Sequence, residues 1–122
     1  MATVADRVLD NGLTVLDTEA SRVDITSQEA TTYAEATSTY TLGNTTSISI
    51  SAPADRTGGG RKVTLSAVSG ASVTGTGTAT HYAITDVSNT RLLVTGSLTA
   101  SQSVTSGNTF SLDALDIGIP DP

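Results

Sequence analysis

Cysteine is absent from this chain of 122 residues, so a disulfide-stapled scaffold, a thiolate zinc site and a cysteine nucleophile are all excluded. Tryptophan is absent as well, and Tyr33, Tyr40, Tyr82 and Phe110 are the only aromatic residues. Aromatics normally supply the largest buried areas, about 150–250 Å² each. The core must therefore be filled by Val, Leu, Ile and Ala, and such a modest core invites support from neighbouring subunits. Charge is sparse: 6 basic residues against 12 acidic ones give a net charge of −6, without the basic patch of a nucleic-acid binder. No apolar run approaches the ~18 residues of a membrane span, and no apolar signal segment follows Met1, so neither a span nor export is expected.

What the chain does hold is hydroxyl: 23 Thr and 15 Ser, beside 14 Ala, with charged residues at only 15%. An acidic disordered chain would carry more charge and fewer β-branched residues. Thr has a stiff χ1 and suits a pleated, half-buried surface, so this composition predicts a folded, all-β chain. The expected architecture is an antiparallel β-sandwich or β-barrel-like domain over 13–122, preceded by an N-terminal arm or short helix over 1–12.

Residues 3–11 differ from the rest. Val4 and Val8, and Ala5 and Leu9, are spaced i,i+4, with Thr3 as a candidate cap and Asn11-Gly12 as the stop. Beyond them, 13–17 and 22–27 read as short strands, with Val23 and Ile25 apolar against Arg22, Asp24 and Thr26. The non-alternating segment 28–37 reads as a helical turn or two, capped by Ser27 with Tyr33 inward. Strands are expected at 38–42 and 46–52 around a Gly43-Asn44 turn, and a loop at 53–60. Further strands are expected at 61–68, 79–87, 91–98, 109–112 and 115–119, with a turn at Ser69-Gly70-Ala71 and a polar connection over 99–108. Short strands spaced roughly 8–12 residues apart fit a sandwich or barrel, because parallel units would need long crossover helices.

Each candidate for chemistry has a plainer reading. His81 is the only imidazole, and Asp86, five residues along the same strand, falls on the opposite face; a hydrogen-bonded strand histidine is expected. One His without Cys cannot make a zinc site. Asp55, Asp113 and Asp116 do not have the spacing of a calcium loop and are expected to be solvated. Gly58-Gly59-Gly60-Arg61-Lys62 could wrap an anion, but a phosphate loop opens a helix whereas this run opens a strand, so a mobile hairpin loop is expected, with contact to a partner's acidic surface as the remaining option. Asn44-Thr45-Thr46 is a glycosylation sequon, relevant only in a secretory pathway. No catalytic residue, metal or cofactor is expected.

Several blocks carry a resemblance: ADRVLDNGLTVLDTEA, SQEATTYAEATSTYTLG, PADRTGGGRKVT, GTGTATHYAITD, RLLVTG and SVTSGNTFSLDALDIGIPDP. Together they cover most of the chain and resemble small all-β virion structural proteins of tailed bacteriophages, in which Cys often stands at the position of Thr26, Pro at Ala30 and Trp at Tyr82. The resemblance implies a non-enzymatic protein of the virion, made in the bacterial cytoplasm and placed on the capsid surface. The leading expectation is a capsid decoration, or cement, protein that docks on the assembled head shell. Its partners would be the major capsid protein and copies of itself, with a trimer suggested by the class. A tail-fibre or tail-associated receptor-binding module is the alternative. The N-terminal segment Met1–Gly12 would be the docking element, Val4, Val8 and Leu9 supplying apolar contact and Asp6, Arg7 and Asp10 fixing register, with Arg61 and Lys62 as further interface residues.

Overall fold

The computed structural model describes residues 6–119, and side chains from residue 12 onward apart from Thr99. The order of elements is helix α1 (Asp6–Glu19), strands β1 (Arg22–Thr26), β2 (Thr41–Thr45), β3 (Ala54–Asp55), β4 (Arg61–Leu65), β5 (Val68–Val73), β6 (Gly77–Asp86), β7 (Arg91–Val104), β8 (Thr109–Leu112) and β9 (Leu115–Ile119), with a π-helical turn at Glu35–Thr39 between β1 and β2. All strand pairs are antiparallel, in two sheets ordered β7-β6-β1-β2-β5-β8 and β3-β4-β9. The expected all-β antiparallel class with a short N-terminal helix is borne out. Contacts divide the chain into two compact units, each discontinuous in sequence: 1–19, 49–67 and 113–122 form the smaller, and 20–48 with 68–112 the larger.

In the smaller unit α1 packs on β4 and β9. The helix does not stop at Asn11-Gly12, and 13–17 is helix instead of the expected strand. A glycine inside a helix costs about 1 kcal/mol relative to Ala. Leu13 and Leu16, three residues apart on one side, are both buried, and each fully buried leucine returns about 1.5–3 kcal/mol. Burial outweighs the local stop signal. Beneath the helix lie Val63 and Leu65, fully buried, as the alternation in β4 predicts. The segment 46–52, expected as a strand, has only a bridge from Ile50 to Leu65.

The larger unit is built around β1, which is buried on both faces: Val23, Asp24, Ile25 and Thr26 have no exposed surface. On one face Val23 lies opposite Ile84, Ile25 opposite Tyr82 and Gly43, and Gly43 opposite Val73. Phe110 and Leu112 complete this apolar side from β8. Gly43 is therefore in mid-strand and not in the expected turn, since a Cβ there would stand 2.9 Å from the Phe110 ring and 2.8 Å from the Ser72 carbonyl. The sheet curls until its edge strands meet at one end, where Gln102 Nε2 donates to the Ser111 carbonyl at 2.9 Å.

The other face of β1, expected to be solvated, is roofed by the connection 27–40. Ala30 and Ala36 pack on Ala83, with Tyr40 and Leu92 at the margin. Tyr40 N donates to the Glu35 carbonyl at 2.9 Å, an i→i−5 bond that makes the turn a π turn. Ser27 does not cap it: its N–H goes to the Tyr40 carbonyl, and Tyr33 is half-buried while Ala30 and Ala36 are the buried residues of the connection. Thr31, through N and Oγ1 at 2.8 and 2.7 Å, holds Glu35 Oε1 instead. Strand β5 runs through the expected Ser69-Gly70-Ala71 turn with an irregularity there, and β7 extends through much of the expected polar connection.

Candidate interaction surface

Strand alternation separates Arg61 from Lys62. Arg61 shares its face of the small sheet with Val63 and Leu65, and lies directly opposite Ile119 and Asp55. Its Nη1 donates to Asp55 Oδ1 at 2.5 Å, and Nη2 reaches the Pro53 carbonyl at 3.4 Å. Ile119 is 37% exposed, and its Cδ1 stands 3.6 Å from where a Cβ on Gly12 would be. One turn further along that side of α1, Val15 is 39% exposed. The solvent-facing Ile119 thus adjoins an ion pair, and a second exposed apolar side chain, Val15, lies one helical turn from the point Ile119 approaches.

Lys62 occupies the opposite face. Its Nζ donates to Asp116 Oδ2 at 3.0 Å, while Thr64 Oγ1 donates to Asp116 Oδ1 at 2.7 Å. The Thr64 hydroxyl, and then Lys62, hold the Asp116 carboxyl below the usual carboxylate range. A cleft of about 360 Å³ opens here, lined by Arg56, Thr57, Lys62, Asp116 and Gly118. Arg56 lies across β9 where Gly118 leaves room: a Cβ would meet its Cδ at 2.9 Å.

The glycine loop is a hairpin connection between β3 and β4, as expected. Gly58, Gly59 and Gly60 all have positive φ, which only glycine adopts without strain. Arg56 N bonds the Gly60 carbonyl, and Arg56 Nη1 donates to the carbonyls of Gly59 at 3.1 Å and Thr57 at 3.5 Å. The loop turns carbonyl oxygens toward its own cation, the reverse of an anion cradle.

The remaining candidates are accounted for by local bonding. Thr80 Oγ1 lies 2.8 Å from His81 Nδ1 and donates to the Ser27 carbonyl at 3.0 Å, a chain completed by a proton on Nδ1. Asp86, buried, accepts from Asn89 Nδ2 at 2.7 Å and anchors the β6–β7 turn. Asn44 sits in a central strand opposite Asp24 and Ser72. Among the described residues no group of three His, Cys, Asp or Glu side chains could hold a metal. Val4 lies outside the described residues; Asp6, Arg7, Val8 and Leu9 lie in α1, with side chains outside the described set.

Sequence reasoning missed the ion pair that holds the larger unit's roof. Arg22 Nε and Nη2 grip Asp24 Oδ1 and Oδ2 at 2.7 and 2.9 Å, and Thr41 Oγ1 adds a bond to Oδ2 at 2.6 Å. The same Nη2 reaches the Thr37 carbonyl at 3.4 Å, tying the π turn to the sheet. The hydrogen bond to Asp24 raises the Arg22 pKa above its ordinary value. The i,i+2 spacing on one strand face is the signal that was available.

Comparison with known protein families, characterised proteins and solved structures finds no match to this chain.

Proposed function

We propose that this chain is a bacteriophage virion structural protein of the capsid decoration class, which docks on the assembled head shell and stabilises it. The observation that carries the reading is the patch on the smaller unit, where exposed Ile119 lies opposite Arg61 of the Arg61–Asp55 pair and exposed Val15 follows one helical turn from the point Ile119 approaches. Apolar contact beside fixed charge is the composition of a protein-docking surface, with burial supplying affinity and the ion pair supplying register. The resemblance of the sequence blocks to phage virion proteins supports the same class and names the major capsid protein as partner. The mechanism needs no chemistry: a ligand that binds only the assembled shell stabilises it by mass action. Of the two cations expected at the contact, Arg61 belongs to this patch and Lys62 faces away from it.

The test is to add purified protein to expanded shells assembled without it. Saturable occupancy and a raised shell melting temperature are expected. Ile119→Asp and Arg61→Glu should each lower occupancy, whereas Lys62→Glu should leave it unchanged. Absence of binding to shells, or binding to tails alone, would overturn the reading.

A further inference from the structure

The cleft on the Lys62 face of the small sheet lies away from the docking patch, and its lining carries two cations, Arg56 and Lys62, against one carboxylate, Asp116. That carboxylate is already engaged: Lys62 Nζ donates to Oδ2 at 3.0 Å and Thr64 Oγ1 to Oδ1 at 2.7 Å. Arg56 has no carboxylate partner among the described residues. Its side-chain hydrogen bonds in that set all leave from Nη1, toward the Gly59 and Thr57 carbonyls. Nε and Nη2, one edge of the planar fork, are left there without a protein acceptor. Such an edge suits a carboxylate, because two parallel N–H donors match two carboxylate oxygens.

The guanidinium is held in place from two directions. Gly58, Gly59 and Gly60, all at positive φ, bend the loop so that its carbonyls meet Nη1. Gly118 leaves the space in which the side chain lies, since a Cβ there would stand 2.9 Å from Arg56 Cδ and 3.1 Å from Nε. A side chain fixed in this way has less rotamer freedom to lose on binding. The cleft volume, about 360 Å³, is at the small end of ligand sites and suits one side chain or a small acid.

We propose that this cleft binds a carboxylate monoanion on the open edge of Arg56, with Lys62 at its flank, the carboxylate coming from an acidic protein side chain or a small free acid. Charge decides the class. Two cations and one carboxylate leave a single positive charge, which a monoanion neutralises, whereas a doubly charged phosphate would add repulsion beside Asp116. The chain as a whole carries −6, so attraction of an anion here comes from the local arrangement and not from the general field.

The test is an amide NMR titration of the full chain at low salt and mildly alkaline pH. The probes are acetate, a blocked Gly-Glu-Gly peptide, its Gly-Gln-Gly counterpart and inorganic phosphate. Saturable shifts at the Arg56 side-chain N–H and the Thr57 and Gly118 amides are expected with both carboxylates, more weakly with phosphate, and not with the glutamine peptide. A peptide tighter than acetate assigns the carboxylate to a protein side chain; acetate at least as tight assigns it to a free acid. Arg56→Gln and Gly118→Ala should each weaken binding about tenfold, the loss of one charge-assisted pair. Gly118→Ala keeps every charge and displaces only the arginine, so unaltered binding in it would overturn the proposal. Arg91→Gln removes the same charge from the larger unit and should bind as the unaltered chain does. No saturable shift with either carboxylate, phosphate as the tighter ligand, equal binding of the glutamine peptide, or equal weakening in Arg91→Gln and Arg56→Gln would also overturn it. The probe series needs no variant, and none of these measurements involves shells, so the result stands apart from the docking reading.

Discussion

The two units handle charge in opposite ways. The larger one contains only Arg22, Asp24, Glu29, Glu35, Asp86 and Arg91, and buries two of these carboxylates. The smaller one, though shorter, holds the other twelve charged residues, and the carboxylates of its described ion pairs, Asp55 and Asp116, are exposed. Where charge is scarce it is structural, because a buried carboxylate must be gripped from several sides. Where charge is dense the paired carboxylates stay in water, and a pair with an exposed carboxylate contributes little to stability. Similar Arg–Asp and Lys–Asp pairs therefore do different work: one fastens a roof and the others dress a surface.

Removing the buried partner is the strongest way to break this comparison. Asp24→Ala leaves the Arg22 guanidinium uncompensated beneath the 27–40 connection and should cost about 3 kcal/mol or more. Urea denaturation measures the loss, and hydrogen exchange should place it in β1, β2 and the π turn. An unchanged midpoint would refute the structural role of the pair.

Leu65→Ala opens a cavity under the small sheet at a fully buried position and should cost about 2–5 kcal/mol. Here amide protection should fall in α1, β4 and β9. Loss of protection confined to the larger unit would contradict the division of the core.

A smaller effect of opposite sign is expected at Thr26 and Thr85, whose hydroxyl oxygens are buried without a hydrogen-bond partner. Thr26→Val and Thr85→Val remove an unsatisfied polar group at equal shape and should each stabilise by about 1 kcal/mol. A lowered melting temperature in both would show that the hydroxyls are satisfied.

The least effect belongs to the exposed pair. Asp116→Asn should lower the melting temperature at neutral pH only slightly. Its hydrogen bonds from Thr64 and Lys62 hold the folded carboxyl below its ordinary value, and Thr31 does the same for Glu35. Stabilisation from a depressed carboxyl is complete above its unfolded pKa and fades as pH falls through the folded one. Melts recorded from neutral to acid should decline, with a shallower slope in Asp116→Asn and in Glu35→Gln. An identical slope in the variants would remove these groups from the account.

Much of the sheet was legible from alternation alone. Val63 with Leu65, Tyr82 with Ile84, and Phe110 with Leu112 share faces as their spacing requires, because a strand has only two sides. The errors fall where local signals were overruled. Asn11-Gly12 resembles a helix stop, but Leu13 and Leu16 beyond it are buried. Gly43-Asn44 resembles a turn, but its missing side chain makes room for Phe110 from far along the chain. Arg22, Asp24 and Thr26 resemble a solvent face, and only the roof packed over Ala83 reveals that Asp24 and Thr26 are interior and Arg22 half-buried. At the candidate interface, adjacency in sequence grouped Arg61 with Lys62, while pleating sent them to opposite faces.

Composition and periodicity by themselves determined an antiparallel β chain with an aliphatic core, few charges and a helical start, since those features depend on residues close in sequence. Only the tertiary structure decided where the helix ends, which polar face is roofed, and which strands lie at the sheet edges. Each of those outcomes depends on what packs against a segment from elsewhere in the chain, and burial energies of that kind exceed the local preferences that a short stretch of sequence can express.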